Sequence, residues 1–558
     1  MKQLQLKKVW NWSWEKHDQV ILMLNNIMKP LTFARNTYTT NYNQQEGVAQ
    51  LSKEQGTPPE PQKRSYSTKQ RIGLLLGPLL FLLIQLFFRP EGLEMAAIST
   101  LAITSWVATW WVTEAIPIPL ASLLPVVLYP MTGALETEVA YAPYANHIIF
   151  LIMGGFVLAL TMEKWGLHKR IALYIVGICG TSTNQIVLGF MAATGFLSMW
   201  ISNTAATMLM VPMALALIQH VQKQMTSSNL IDTDTDSKNN IFGKVLLLAI
   251  AYAASVGGIS TMVATPSNAI FVAIAEQLYD VQISYGQWML FGVPTAVLFS
   301  LVIWFFLTRI AFKLPFKKLP GGNELLTSER RALGKMSIEE KIVLWVFIFT
   351  AFFWVTRSFL WIKFLPNLTD AVIAIVAALA LCLIPAPSKP GKRMFDWETG
   401  KKLPWGIFLL YGCGLSLAAG FTQTGLSDYL GNQLTGLNVL PTFLVLVVVV
   451  AITVFMTELM SNGASATMLY PIMGSLAFAV GADPLTFMMA ACLATSAAFM
   501  LPVSTPPNAV VFGTGYIRMG DMVRTGFFLN LFIIAVVPLL VYYFLPLTWN
   551  LDIHLFPY

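Results

Sequence analysis

Ser202, Asn203 and Thr204 stand together in the run MWISNTAATMLM, with long apolar stretches on both sides. Ser461, Asn462 and Gly463 repeat the arrangement in ELMSNGASATML, in the other half of the chain. Ser, Thr and Asn are preferred helix N-caps. A helix that starts at such a knot turns free N–H groups and a partial positive charge toward it. A terminus of that kind binds carboxylate or phosphate without needing Lys or Arg. Two further runs, ATPSNAI at residues 264–270 and STPPNAV at residues 504–510, place Thr-Pro inside apolar segments. Proline lacks an N–H and clashes with the preceding turn, so each break frees carbonyl oxygens. Carbonyl, hydroxyl and amide oxygens suit a hard cation that has shed its water, and sodium is such a cation. The combination can hold an anion on one side and sodium on the other.

The elements that must carry these residues are membrane helices. Of 558 residues, 56% are hydrophobic and 11% charged, where a soluble domain has about 25% charged residues. Apolar runs of spanning length recur from residue 72 onward, for example at residues 72–88 and 526–546. The expected class is all-α and polytopic, since a β-barrel needs short alternating segments. The net charge of +7 marks cytoplasmic loops rather than a nucleic-acid partner. Basic clusters fall at Lys313/Lys317/Lys318/Arg330/Arg331/Lys335 and at Lys389/Lys392/Arg393/Lys401/Lys402. With Lys63, Arg64, Lys69 and Arg71 before the first span and no Lys or Arg in the last ten residues, the N-terminus is expected inside, the C-terminus outside, and the number of crossings odd. Cys179, Cys382, Cys413 and Cys492 are scattered, without metal-ligand or disulfide spacing, and read as small core residues.

The chain divides into a polar cytoplasmic tail (residues 1–68), a first transmembrane repeat (69–313), a cytoplasmic loop (314–341) and a second transmembrane repeat (342–558). The tail lacks a signal-peptide core, and Trp10, Trp12 and Trp14 leave an amphipathic surface segment open. Residues 219–240 read as a second hydrophilic loop. The repeat is visible as three matched elements in one order. FLIMGGFVLALTMEKWGL (150–167) pairs with FLLYGCGLSLAAGFTQTGL (408–426), the two Ser-Asn knots pair, and ATPSNAI pairs with STPPNAV. A lone knot in an apolar chain is ordinarily a cap or a helix–helix contact. Two knots, each followed by a Thr-Pro break ending in Asn, favour a transporter with its site at the repeat interface near mid-membrane.

The runs WWVTEAIPIPLASLLPVVLYP (110–130), FLSMWISNTAATMLMVP (196–212) and TSAAFMLPVSTPPNAVVFGTG (495–515) resemble the divalent anion:sodium symporter family. Ser496, Phe499, Pro502, Ser504, Asn508 and Val511 fall where that family's signature expects them. The resemblance covers residues from about 70 to 545. It implies a homodimer whose protomers have a scaffold and an elevator-type transport domain, with two inverted repeats carrying re-entrant hairpins. It implies co-transported sodium and a C4 or C5 dicarboxylate substrate such as succinate, malate, fumarate or 2-oxoglutarate. One sodium would meet Ser198, Ser202, Asn203 and the backbone at Ala264. A second would meet Thr457, Asn462 and the backbones at Met460 and Ser504. The substrate would meet Ser202, Asn203, Thr204, Ser461, Asn462 and Thr505. The chain departs from the family at Gly463, where Thr is usual, and at Pro266-Ser267, where Pro-Pro is usual. Gly463 is expected to leave space for a larger dianion.

Glu114, before a proline break, is read as a helix-end residue or a gate. Glu458, beside the second knot, is read as holding the hairpin through hydrogen bonds or as taking part in coupling. Glu163, Lys164, His168, Lys169 and Arg170 read as an interfacial charge cluster, and Asn367-Leu368-Thr369 fits a glycosylation sequon. A sodium-independent dicarboxylate exchanger uses the same anion site, and a sulfate or citrate carrier remains in the family's range. Scattered histidines and the absence of HExxH weigh against an intramembrane enzyme, and paired broken segments suit alternating access better than a channel.

Overall fold

The computed structural model describes residues 67–180, 182–227, 240–314, 322–434, 436 and 439–552. The polar tail therefore lies outside the described residues except for its last two positions. Among the described residues the chain is helical, with a single isolated bridge, Pro385 to Arg393, and no strand.

Helix α1 (Thr68–Phe87) starts at a capping box in which Ser67 and Gln70 exchange hydrogen bonds. It lies antiparallel to α2 (Met95–Thr113) because Gly73 sits over Thr113 and Gly77 over Trp106, where no side chain fits. Glu114 ends α2 in a left-handed conformation and is exposed, as a helix-end residue. After three short helices (Ile118–Ala121, Leu124–Thr132 and Thr137–Tyr141) and a 3₁₀ turn (Ala142–Ala145) come α3 (His147–Lys164), capped by Asn146, and α4 (Leu167–Ile178).

The first knot joins α5 (Thr183–Ser198) to α6 (Asn203–Ser227), and the first break joins α7 (Ile241–Gly257) to α8 (Pro266–Tyr279). Helix α9 (Tyr285–Phe305) follows, then α10 (Ile338–Thr356), α11 (Asp370–Leu383) and α12 (Trp405–Gln423). The second knot joins α13 (Thr442–Thr457) to α14 (Asn462–Ala479), the second break joins α15 (Pro484–Thr495) to α16 (Pro506–Gly513), and α17 (Met519–Leu539) is the last long helix. Eight helical stretches among the described residues are long and apolar enough to cross a membrane. Helices α13 and α15, with 16 and 12 residues, reach only about 24 and 18 Å at 1.5 Å per residue. That is less than the ~30 Å hydrocarbon core, which is why each must stop inside the lipid-buried protein and hand over to another segment.

Helices α3, α5–α9 match α12, α13–α17 in order, and the packing repeats as well. Helix α5 packs on α7 as α13 packs on α15, and α6 on α7 as α14 on α15. The halves interlock: α6 lies against α16, and α8 against α14. Each knot helix thus meets the break helix of the opposite half. Helix α12 packs on both α8 and α14, while α10 and α11 flank α3.

Three boundaries differ from expectation. Helix α6 runs on to Ser227, so the hydrophilic stretch from residue 219 begins as helix. The expected loop 314–341 contains a helix, Gly322–Ala332, and α10 starts at Ile338 behind a Ser337/Glu340 capping box. Cys413 and Cys492 are buried core residues, but Cys382 is exposed on α11 and Cys179 half-buried. The expected charge cluster is present: Arg170 pairs with Glu340 at 2.9 Å, Lys169 with Glu329 at 3.4 Å, and Lys164 with Asp396 at 2.9 Å. Burial disfavours the charge on Asp396, but hydrogen bonds from Thr399 and Lys164 outweigh it and hold the carboxyl well below its usual range.

Candidate functional site

Each knot is a four-residue turn. Helix α5 tightens at its end, with Trp200 and Ile201 N–H groups both bonded to Leu197 O at 2.9 Å. Ser202 then caps α6, its Oγ accepting from Ala205 N at 3.2 Å. Ser461 caps α14 in the same way, accepting from Ala464 N at 3.4 Å. Ser461 is exposed, and Ser202, Asn203, Thr204 and Asn462 are half-buried, so both helix N-termini are within reach of a solute.

The side chains behind the caps form two matching oxygen clusters. Ser198 Oγ lies 2.6 Å from Asn203 Oδ1 and 2.7 Å from the Ala254 carbonyl. Thr457 Oγ1 lies 2.8 Å from Asn462 Oδ1 and 3.0 Å from the Thr495 carbonyl. A hydroxyl has one proton to give, so it can donate to only one of its two oxygen neighbours. Each cluster therefore gathers three oxygens around a single donor. That is the composition a dehydrated hard cation requires, and it fits sodium at both places.

The breaks are held against the knots by two asparagines in equivalent positions. Asn268 Nδ2 donates to Gly258 O at 2.8 Å and Thr261 O at 2.7 Å. Asn508 Nδ2 donates to Ala498 O at 3.0 Å and Leu501 O at 3.1 Å. These carbonyls lie in the breaks between α7 and α8 and between α15 and α16, and Leu501 O also accepts from Ser504 N at 3.3 Å. A carbonyl left unpaired inside a membrane costs several kcal/mol, and the two amides bond all four. Gly258 is wedged between Asn203 and Thr265, where a β-carbon would stand 2.7 Å from Asn203 Oδ1 and 2.6 Å from Thr265 Cγ2. The first knot and first break therefore share one space, with Ala264 buried beside it. In the second half, Ser504 Oγ donates to the Glu458 carboxylate and lies 3.0 Å from the Glu458 carbonyl, and Thr505 caps α16. Thr265 Oγ1 and Asn508 Oδ1 are buried without a protein partner, which leaves further oxygen lone pairs at both breaks.

Of the residues expected for the first cation, Ser198 and Asn203 are in contact and Ala264 follows the same break, while Ser202 is occupied as a helix cap. Of those for the second, Thr457 and Asn462 are in contact, and Met460 and Ser504 are buried on either side. Gly463 does not leave the expected space. A β-carbon there would lie 3.0 Å from Leu410 Cδ2 and 3.1 Å from Pro266 Cβ, so the missing side chain lets α12 and the first break close on the second knot. The carbonyls of Ala254 and Thr495 were not expected. Their only signal is position, eleven and ten residues before the two Thr-Pro threonines. The clasping role of Asn268 and Asn508 was legible only as a repeated Asn three residues after each Thr.

Among the described residues no group of three His, Cys, Asp or Glu is placed to hold a metal, and none of the ion pairs involves a knot or break residue. Apart from the Glu458 carboxylate in the second knot, the site is built from neutral oxygens and amides. The family described as sodium:sulfate symporter transmembrane region matches residues 68–550. The chain belongs to that family. Among curated relatives of this symporter, a protein of Staphylococcus saprophyticus named sodium-dependent dicarboxylate transporter SdcS is 45% identical over 496 residues, covering 88% of this chain and 94% of the relative. The protein of the same name from Staphylococcus aureus strain MRSA252 is 44% identical over 495 residues, with the same coverage. The fold is also that of two solved transporters, Alcanivorax borkumensis YdaH (TM-score 0.52, 14% identity, 86% of this chain and 99% of that one) and Neisseria gonorrhoeae MtrF (0.51, 12%, 86% and 96%).

Proposed function

We propose that this symporter carries small dicarboxylate dianions across the cell membrane together with sodium. The observation that carries the reading is the pair of matched oxygen clusters, each directly behind the N-terminus of a helix capped by a partly or fully exposed serine. Sodium at Ser198, Asn203 and the backbone near Ala264, and at Thr457, Asn462 and the backbones of Met460 and Ser504, supplies positive charge where the protein has none. The dianion's carboxylates then meet the N-termini of α6 and α14 and the hydroxyls of Ser202, Thr204, Ser461 and Thr505. Because the counter-charge is mobile, anion affinity follows sodium, and the empty carrier is not held by a permanent cation. If sodium exceeds the substrate's two charges, the membrane potential adds about 2.3 kcal/mol per net charge per 100 mV. Relatives named as sodium-dependent dicarboxylate transporters support both the ion and the substrate class.

The repeated, interlocked halves support alternating access in which the block holding both knots moves against α1–α3 and α10–α12 as an elevator. In this reading residues 69–313 and 342–558 are inverted repeats, the protein is a homodimer, and its N-terminus is cytoplasmic. Succinate, malate, fumarate and 2-oxoglutarate are the C4 and C5 dianions this reading includes. The test is uptake of radiolabelled succinate into proteoliposomes with sodium replaced by potassium or choline. Uptake collapses without sodium. Undiminished uptake would replace symport with exchange.

A further inference from the structure

Glu458 follows Thr457 directly, at the C-terminus of α13, and is 3% exposed. Its carboxylate gathers five donors. Oε1 accepts from Phe499 N and Met500 N at 2.8 Å each and from Asn530 Nδ2 at 2.8 Å. Oε2 accepts from Leu501 N at 3.1 Å and from Ser504 Oγ. None of the five carries a charge, and no Lys or Arg among the ion pairs reaches it. A carboxylate with only acceptor capacity fixes the amide of Asn530 with its Nδ2 inward. An isolated buried charge is expensive even when hydrogen-bonded, so this carboxylate calls for a cation nearby in some state of the protein.

The other half has no such charge. The position that follows Ser198, as Glu458 follows Thr457, is Met199. Its backbone carbonyl accepts from Thr261 Oγ1 at 2.6 Å, but its side chain is a thioether. Gly292 and Gly526 mark the same place on α9 and α17, since a β-carbon at either would strike the break backbone, at Ile259 O and Phe499 O. Counting four residues on from each places Ala296 opposite Asn530. The carboxylate and the amide that orients it are thus both unique to the second half. The two oxygen clusters are alike in their first contacts and unlike in their electrostatics.

We propose that Glu458 is the positioning residue that makes the second cation site the stronger of the two. This rests on the reading of the Thr457/Asn462 cluster as a sodium site. The carboxylate does not ligate the ion. It stands directly behind the Thr457 ligand, contributes a fixed negative charge in a low-dielectric surrounding, and takes up the Phe499, Met500 and Leu501 amides of the second break. The first site, with Met199 in that place, is the weaker one and fills at higher sodium.

The test is thermal melting of the purified full-length protein against sodium chloride, with choline chloride keeping ionic strength constant, for the wild type, Glu458→Gln and Asn530→Ala. In the wild type sodium raises the melting temperature. In Glu458→Gln the sodium concentration for half of that shift rises about tenfold, equivalent to ~1.4 kcal/mol. In Asn530→Ala, which keeps the charge and removes one neutral donor, the midpoint stays within about twofold while the whole curve moves to lower temperature. A Glu458→Gln midpoint equal to wild type overturns this inference and leaves the site reading standing. A wild type that sodium does not stabilise overturns both. If Glu458→Gln yields no folded protein, Asn530→Ala decides: an unchanged midpoint supports the fixed charge, and a tenfold shift assigns the affinity to loop geometry and overturns it.

Discussion

Pro266 and Gly463 touch across the two halves of the chain: a β-carbon on Gly463 would lie 3.1 Å from the Pro266 Cβ. The break of the first repeat is therefore seated on the knot of the second. Restoring the family's usual residue with Gly463→Thr drives a branched side chain into Pro266 and Leu410. Overpacking of this kind costs about 1–3 kcal/mol, so the variant melts lower than wild type and transports poorly. Gly463→Ala, whose single β-carbon meets the same atoms at 3.0–3.1 Å, falls between. Melting and succinate uptake on the three proteins check the order.

Asn203 and Asn462 each place one amide oxygen against a hydroxyl that has a second oxygen neighbour. Alanine at either position removes an oxygen from its cluster without touching the helix caps at Ser202 and Ser461. Asn203→Ala and Asn462→Ala each abolish sodium-driven uptake, while size-exclusion profile and melting in choline stay near wild type. Near-normal uptake in both would make the knots purely structural.

The knots, the breaks and their pairing were legible before any fold was known, because polar residues inside lipid-length apolar runs have few reasons to be there. Ser198, Asn203, Thr457 and Asn462 could be placed from the family resemblance, and the structure brings each pair together. Gly463 was misread because a missing side chain looks like space until the neighbour that fills it is known, and Leu410 and Pro266 are remote in sequence. Glu458 was rightly expected to make hydrogen bonds, but its partners lie 41 to 72 residues away, and nothing local in NLFIIAV marks Asn530 as one of them. Loop limits were misjudged at residues 219 and 338, where polar sequence is part of a helix.

Asn268 and Asn508 do the work that a helical N–H would do in an unbroken segment. Replacing Asn268 with Leu keeps a similar volume and takes this donor from the Gly258 and Thr261 carbonyls, and replacing Asn508 takes it from the Ala498 carbonyl while Leu501 O keeps Ser504 N, at about 1–3 kcal/mol for each buried group left unpaired. Both variants lose melting temperature in sodium and in choline alike. That sets them apart from Asn203→Ala and Asn462→Ala, whose losses are confined to the sodium-bound state.

Asp396 ties the end of α3 to the segment before α12 through Lys164 at 2.9 Å. Its folded-state value is depressed, so its contribution is present above the ordinary carboxylate value of 3.8 and fades as pH falls below it. Asp396→Asn therefore lowers the melting temperature more at pH 7 than at pH 3. Equal losses at both would mean that the Thr399 hydrogen bonds, which an amide oxygen can still accept, carry the contact.

Arg357 and Asp370 form the most enclosed ion pair of the fold's periphery, with Arg357 Nε 2.6 Å from Asp370 Oδ1. Asp370 Oδ2 also accepts from Tyr285 N at 3.1 Å, and the Asp370 carbonyl from Trp354 Nε1 at 3.0 Å. The Tyr285 ring stacks between Trp354, at 4.6 Å, and Trp200, at 6.5 Å, in the turn of the first knot. The chain Arg357–Asp370–Tyr285–Trp200 thus joins α10 and α11 to the first knot without entering the oxygen cluster. Arg357→Met leaves a buried carboxylate without its cation, a change that costs about 3–5 kcal/mol. The double variant Arg357→Met/Asp370→Asn removes both charges and recovers most of that loss. Sodium affinity, read from melting, is unchanged in the double variant, because the Ser198–Asn203 and Thr457–Asn462 clusters keep all their oxygens. A double variant as unstable as the single would show that the Asp370 bond to Tyr285 N, rather than charge pairing, holds this corner of the fold.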